Sequence, residues 1–172
     1  MGYRSDVAYS IRFHYHNDGY WREAQNGMTP RTREEAESLF KLFLAEAKSK
    51  DTTRGCFDEC WTEENLGHRA EGFKVDMDKL RINFYVTSVK WYPDFSDVKC
   101  HTALLALAKE YIEDEATHYK RTLPDGTDIN HEVMGYAYVC IGENNDDIQE
   151  DYCGDYDYEW VYCSRQLITD FN

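Results

Sequence analysis

The sequence predicts an α+β fold: two amphipathic helices set among the strands of an antiparallel sheet. A period-two stretch opens the chain, helical-period stretches follow at Ala36–Ala47 and Leu104–Ile112, and β-rich runs separate and end them. The 172 residues, 42% hydrophobic and 15% aromatic, are enough to bury a core, and one domain over residues 1–172 is expected.

Val7, Tyr9, Ile11, Phe13 and Tyr15 alternate with Ala8, Ser10, Arg12, His14 and His16, the pattern of a half-buried first strand. Asn17-Asp18-Gly19 and Asn26-Gly27 punctuate a loop, and Thr32 with Glu35 three residues later has the spacing of a capping box. Ala36, Leu39, Phe40, Phe43, Leu44 and Ala47 then line one face of a helix running to about Lys50. Asp51 to Gly67 has no period and reads as an irregular segment. Phe73–Asp76 and Leu80–Trp91 read as a hairpin turning at Asp76-Met77-Asp78-Lys79. Ser96 is the expected N-cap of a second helix carrying Leu104, Leu107, Ala108, Tyr111 and Ile112. A turn at Pro124-Asp125-Gly126 precedes Val133–Ile141, apolar on both faces like an interior strand, and Tyr156–Ile168 reads as the closing strand. The order is β-α-β-β-α-β plus one β, the split βαβ arrangement of ferredoxin-like sandwiches, with both helices expected on one face of the sheet. Solenoid-period repeats and low-complexity tracts are absent from the sequence.

No apolar run approaches the roughly 20 residues that span a bilayer, and Met1 to Phe13 lacks the basic-then-apolar pattern of a signal peptide, so a cytoplasmic protein is expected. The six cysteines, Cys56, Cys60, Cys100, Cys140, Cys153 and Cys163, are then expected as reduced thiols. The 33 acidic residues outnumber 19 basic ones for a formal charge of −14. That field repels nucleic acid, anionic lipid and nucleotide phosphates, and attracts basic protein surfaces or cations.

The sharpest local feature is Glu143 to Glu159, which holds Glu143, Asp146, Asp147, Glu150, Asp151, Asp155, Asp157 and Glu159 and contains no Lys or Arg. As a strand, Asp155-Tyr156-Asp157-Tyr158-Glu159-Trp160 would place three carboxylates on one face, spaced about 6 to 7 Å apart, and three aromatics on the other. That spacing is comparable to the step between neighbouring phosphates, so a protein reading phosphates with Arg and Lys is its natural dupe. Tyr158 and Trp160 would supply aromatic anchors at such an interface. A solvated acidic hairpin is the plainer reading of the same residues.

Other chemistry is thinly signalled. Asp151, Gly154, Asp155 and Asp157 do not match a calcium loop. Cys56-Phe57-Asp58-Glu59-Cys60 with His68 resembles half of a zinc site, and His14 with His16 offers two ligands on one side of a strand. Neither set completes a centre, so no metal, no cofactor and no catalytic residue is assigned. A nucleophile elbow, P-loop, dinucleotide fingerprint, HExxH or kinase signature does not occur in the sequence.

The opening Met1-Gly2-Tyr3-Arg4-Ser5-Asp6-Val7 resembles the start of small bacteriophage proteins that begin Met-Gly-Tyr-Arg-Ser-Asp/Glu-Val, over seven of 172 residues. The resemblance implies a phage product working in the bacterial cytoplasm, where small acidic proteins blocking host defence or transcription are common. Joined to the acidic segment, it leads to the expectation of a non-enzymatic protein that binds and inhibits a basic, nucleic-acid-handling or defence protein of the host. The expected carriers are Asp146, Asp147, Glu150, Asp151, Asp155, Asp157 and Glu159, with Tyr158 and Trp160 beside them. A small metal-binding or hydrolytic protein and a virion or assembly component are the alternatives.

Overall fold

The structure, a computed structural model, describes residues 4–15, 32–57, 72–122, 125–132, 134–144, 147–156 and 160–161. The first strand, β1, spans Ser5–Phe13, and the alternation that predicts it is realised in its burial: Val7, Tyr9, Ile11 and Phe13 all enter the core. Two residues of the run that leads into it hold its start. Asp6 Oδ1 accepts the backbone N–H of Ser88 at 2.8 Å, and the Arg4 guanidinium donates to the Ser88 carbonyl at 2.6 Å. This clasp sits where the register between strands shifts and where Ser88 takes a left-handed φ of 54°.

Helix α1, Arg33–Ser49, starts where the capping box predicts. Thr32 Oγ1 accepts the Glu35 N–H at 3.2 Å, and the Glu35 carboxylate accepts the Thr32 N–H at 2.9 Å, so two otherwise orphaned donors are satisfied. Ala36, Phe40, Phe43, Leu44 and Ala47 are its buried face. A single 3₁₀ turn, Arg54–Cys56, follows within the segment read as irregular.

Strands β2, Phe73–Asp76, and β3, Arg81–Val89, form the expected hairpin. Asp76 Oδ1 accepts the N–H groups of Asp78 and Lys79 and closes the turn. Helix α2 spans Ser96–Glu113, but its N-cap is Phe95, not Ser96. The Phe95 N–H is bound to Tyr92 O, which delivers the chain extended at Phe95, whose carbonyl then accepts the first helical bond from Lys99. The helix therefore winds one residue earlier than the serine suggests.

A short hairpin, β4 Tyr119–Thr122 and β5 Asp128–His131, stands on either side of the predicted turn, where Gly126 has φ 87°. Its four-residue strands lack an apolar alternation, which is why the sequence reveals the turn and not the strands. Strand β6 spans Met134–Gly142 and is buried on both faces from Met134 to Ala137, as predicted for an interior strand.

The last described strand, β7, is Ile148–Gly154, ahead of the expected Tyr156–Ile168. Gly154, at φ 74°, turns the backbone out of the strand, and the Tyr156 N–H then bonds the Gly154 carbonyl at 3.1 Å. Asp155 and Tyr156 thus lie past its end, and residues 157–159 and 162–168 of the expected strand lie outside the described residues.

The five long-range strands form one sheet in the order β2-β3-β1-β6-β7, every neighbouring pair antiparallel. Phe13 meets Phe40 and Phe43 of α1, while the Tyr9 hydroxyl meets His101 of α2. Among the described residues no helix is long and apolar enough to cross a membrane.

Candidate functional site

Residues directly opposite one another in a sheet share a face, so its register can be read as rows. One row runs Phe73, Phe84, Tyr9, Tyr138, Asp151, and the next runs Val75, Ile82, Ile11, Tyr136, Cys153. Each is apolar on β2 and β3, carries Tyr9 or Ile11 on β1 and a tyrosine on β6, and ends on β7 with Asp151 or Cys153. Tyrosine suits the boundary because its ring fills core while its hydroxyl reaches a polar partner.

Helix α2 packs against β6 and β7, and along that seam a groove of about 600 Å³ remains. Tyr136, Tyr138, Cys140, Asp147, Gln149 and Asp151 form its sheet side. His101, Thr102, Leu105, Ala106 and Lys109 line the helix side, and Trp91 stands at the groove as well. Its volume lies in the range of ligand-sized clefts, roughly 300 to 1,000 Å³.

The polar groups are held in place. The Tyr136 hydroxyl donates to Asp151 Oδ2 at 2.7 Å, and the Trp91 indole N–H donates to the Tyr138 hydroxyl at 3.2 Å. Burial pushes both tyrosine hydroxyls above their ordinary range, and in Tyr136 the bond to Asp151 adds to it, so both stay protonated. Lys109 Nζ lies 3.8 Å from the Glu113 carboxylate, four residues along the same helix.

Beneath the groove, His101 is 7% exposed. Its Nδ1 is 2.7 Å from the Tyr9 hydroxyl and 3.7 Å from Cys56 Sγ, and its ring centroid is 4.1 Å from that of Phe84. A Cys beside a His suggests a nucleophile, but burial drives the Cys56 thiol well up, away from the thiolate. Burial likewise raises the Cys140 and Cys153 thiols. This cluster serves packing.

The sequence-predicted residues divide. Asp147 and Asp151 come together at the groove, while Glu150, exposed and opposite Val139, points to the other face. Asp155 is exposed beyond the strand, its carbonyl 2.6 Å from His14 Nε2 and its carboxylate 3.9 Å from the same atom. Trp160 is half-buried beneath the Arg12 guanidinium, 4.5 Å from its ring centroid, so it is engaged within the chain. Asp146, Asp157, Tyr158 and Glu159 lie outside the described residues, as do Cys60, His68 and His16 of the two metal-ligand sets. Among the described residues no group of three or more His, Cys, Asp or Glu is placed to hold a metal ion.

Comparison with protein-family models, curated proteins and solved structures gives no match. The chemistry of the site is therefore read from its own groups. Aromatic rings beside carboxylates suit the binding of a cation.

Trp91, His101 and Tyr136 were not singled out as site residues from the sequence. His101 left a trace, since 101, 104, 105 and 108 share helical spacing and place an imidazole on an apolar stripe. Tyr136 and Tyr138 alternate with the smaller Gly135, Ala137 and Val139, which sets both rings on one face.

Proposed function

We propose that this chain is a non-enzymatic phage protein that binds and inhibits a basic host protein, one that handles nucleic acid or defends the cell, in the bacterial cytoplasm. Its carboxylates take the place of nucleic-acid phosphates. The observation that carries the reading is the acidic border strand: among the described residues β7 pairs only with β6, bears Glu150 and Asp151, and is flanked by Asp147 and Asp155. The sequence from Glu143 to Glu159 contains no Lys or Arg. A net charge of −14 extends the field outward and favours encounter with a cationic surface. The phage and host part of the reading rests on the opening run Met1–Val7.

We infer as well that the architecture is ferredoxin-like, with a fifth strand added at the β6 edge. In support, β3 lies between β1 and β2, as a split βαβ unit requires, and β6 flanks β1 on the other side. Tyr9 and Phe13, on one side of β1, reach α2 and α1 respectively, which favours both helices on that side.

The test is capture from bacterial lysate by the tagged protein and by a variant carrying Asp147→Asn, Glu150→Gln, Asp151→Asn and Asp155→Asn. A basic nucleic-acid-binding protein should be retained by the wild type, lost by the variant, and released steeply as salt rises. Retention of the same partner by both forms, or salt-independent binding, would refute the reading.

A further inference from the structure

We propose that the groove between α2 and the β6–β7 ladder receives an arginine side chain of the basic partner. The inference rests on the reading above and names the group that the partner inserts. The groove offers what a guanidinium requires: carboxylates from Asp147 and Asp151, and aromatic rings from Tyr138 and Trp91. Charge complementarity points to a cation as occupant, since the lining carries the carboxylates of Asp147 and Asp151 and one ammonium, Lys109.

Arginine is preferred over lysine for geometric reasons. Its planar fork meets carboxylate oxygens two at a time and stacks on aromatic faces, whereas an ammonium is a compact, strongly hydrated point charge. Asp151 is already oriented by the Tyr136 hydroxyl at 2.7 Å, which occupies Oδ2 and leaves Oδ1 as an acceptor toward an incoming donor. Tyr138, directly opposite Asp151 on β6, is in turn held by the Trp91 indole. Asp151 and Tyr138 are therefore held relative to one another before a ligand arrives, which reduces the ordering cost of binding.

The experiment measures binding of the full chain to a Gly/Ser-rich peptide bearing several arginines and to its lysine counterpart of equal charge. The arginine peptide should bind about tenfold more tightly or better, as bidentate pairing and stacking on aromatic rings predict. Ala106→Phe puts a ring into the groove from an exposed helix position and leaves every carboxylate in place. It should bring the arginine peptide down to the lysine level without moving the unfolding midpoint. Should Ala106→Phe prove unstable, Asp151→Asn, which keeps the volume and an acceptor for Tyr136, must produce the same loss. Equal binding of the two peptides, or an undiminished arginine preference in a folded variant, overturns the groove and leaves the acidic-edge reading standing. Failure of both peptides to bind overturns both. Binding of arginine amide as tight as that of the peptide overturns the partner side chain as occupant in favour of a free small cation.

Discussion

Replacing Tyr9 by Phe removes one oxygen from the centre of the molecule and little else. Tyr9 is 1% exposed, and its ring stacks on Phe84 with centroids 5.1 Å apart, a contact that phenylalanine retains. What is lost is the 2.7 Å hydrogen bond to His101 Nδ1. Deleting one partner of a buried hydrogen bond costs about 1 to 3 kcal/mol, because the desolvated group that remains is not repaid by water. In urea, with a slope of about 1 to 3 kcal/mol per molar, the unfolding midpoint at neutral pH should fall by about 1 M with the slope unchanged. The same oxygen leaves a mark at alkaline pH. Burial, with the neighbouring Cys56 and Cys100, raises the Tyr9 hydroxyl well above the ordinary tyrosine value near 10. Below that value it is neutral folded and unfolded alike, so its full contribution is present. Above it the unfolded chain releases the proton first, and stability falls by about 1.4 kcal/mol per pH unit for this one group. Tyr9→Phe should therefore be the less stable protein at pH 7 and have the shallower decline above pH 10. A loss under about 0.5 kcal/mol at pH 7, with an unchanged alkaline slope, would show that the hydroxyl is neither bonded nor buried as described.

Three further outcomes follow from other parts of the molecule. Thr32→Ala removes the Oγ1 that accepts the Glu35 N–H, while the backbone N–H at 32 keeps its bond to the Glu35 carboxylate, and should cost about 1 kcal/mol, or roughly 2 to 4 °C in Tm; an unchanged Tm would refute the cap. Gly154→Ala should destabilise by about 2 kcal/mol or more in chemical denaturation, because its Cβ would stand 2.4 Å from Met134 O at a φ of 74°, and a neutral result would mean that β7 does not end there. The pair Glu150→Gln and Asp155→Asn should leave stability within about 0.5 kcal/mol by denaturation while weakening partner capture, since both side chains are exposed; a large stability loss would assign them a structural role instead.

Where periodicity and burial coincide, the fold was legible. β1, α1 and the β2–β3 hairpin announce themselves because one face of each enters the core and leaves a period in the sequence. β7 does not, since a border strand reading Ile-Gln-Glu-Asp-Tyr-Cys-Gly buries little. Of the alternating Asp155–Trp160 segment, Asp155 and Tyr156 follow the turn at Gly154, and residues 157–159 lie outside the described residues. The acidic character of the site was legible as composition, but its geometry was not. That Asp151 faces an aromatic groove and Glu150 the opposite side depends on pairing with β6, a contact that local sequence cannot encode. The opening run shows the same limit: Arg4 and Asp6 grip the backbone of Ser88, so they have work within the fold whatever else they do.

Acidic residues on a border strand have an ordinary purpose, which is to keep the open edge from pairing with another chain. That purpose is served by side chains in open solvent, as Glu150 is. It does not call for Asp151 to be fixed by a tyrosine hydroxyl, nor for Asp147 to share a groove with Tyr138 and Trp91. A carboxylate restrained beside aromatic rings is a poor solubility device, because restraint removes the freedom to seek water and counterions. It is a good receptor, because the same restraint lowers the entropy lost when a cation arrives. On the proposed reading, protective charge accounts for Glu150, and recognition for Asp151, which is exposed as well but tied to Tyr136 at the groove. Glu150 should govern salt dependence and encounter, whereas Asp151 should govern which cation is held.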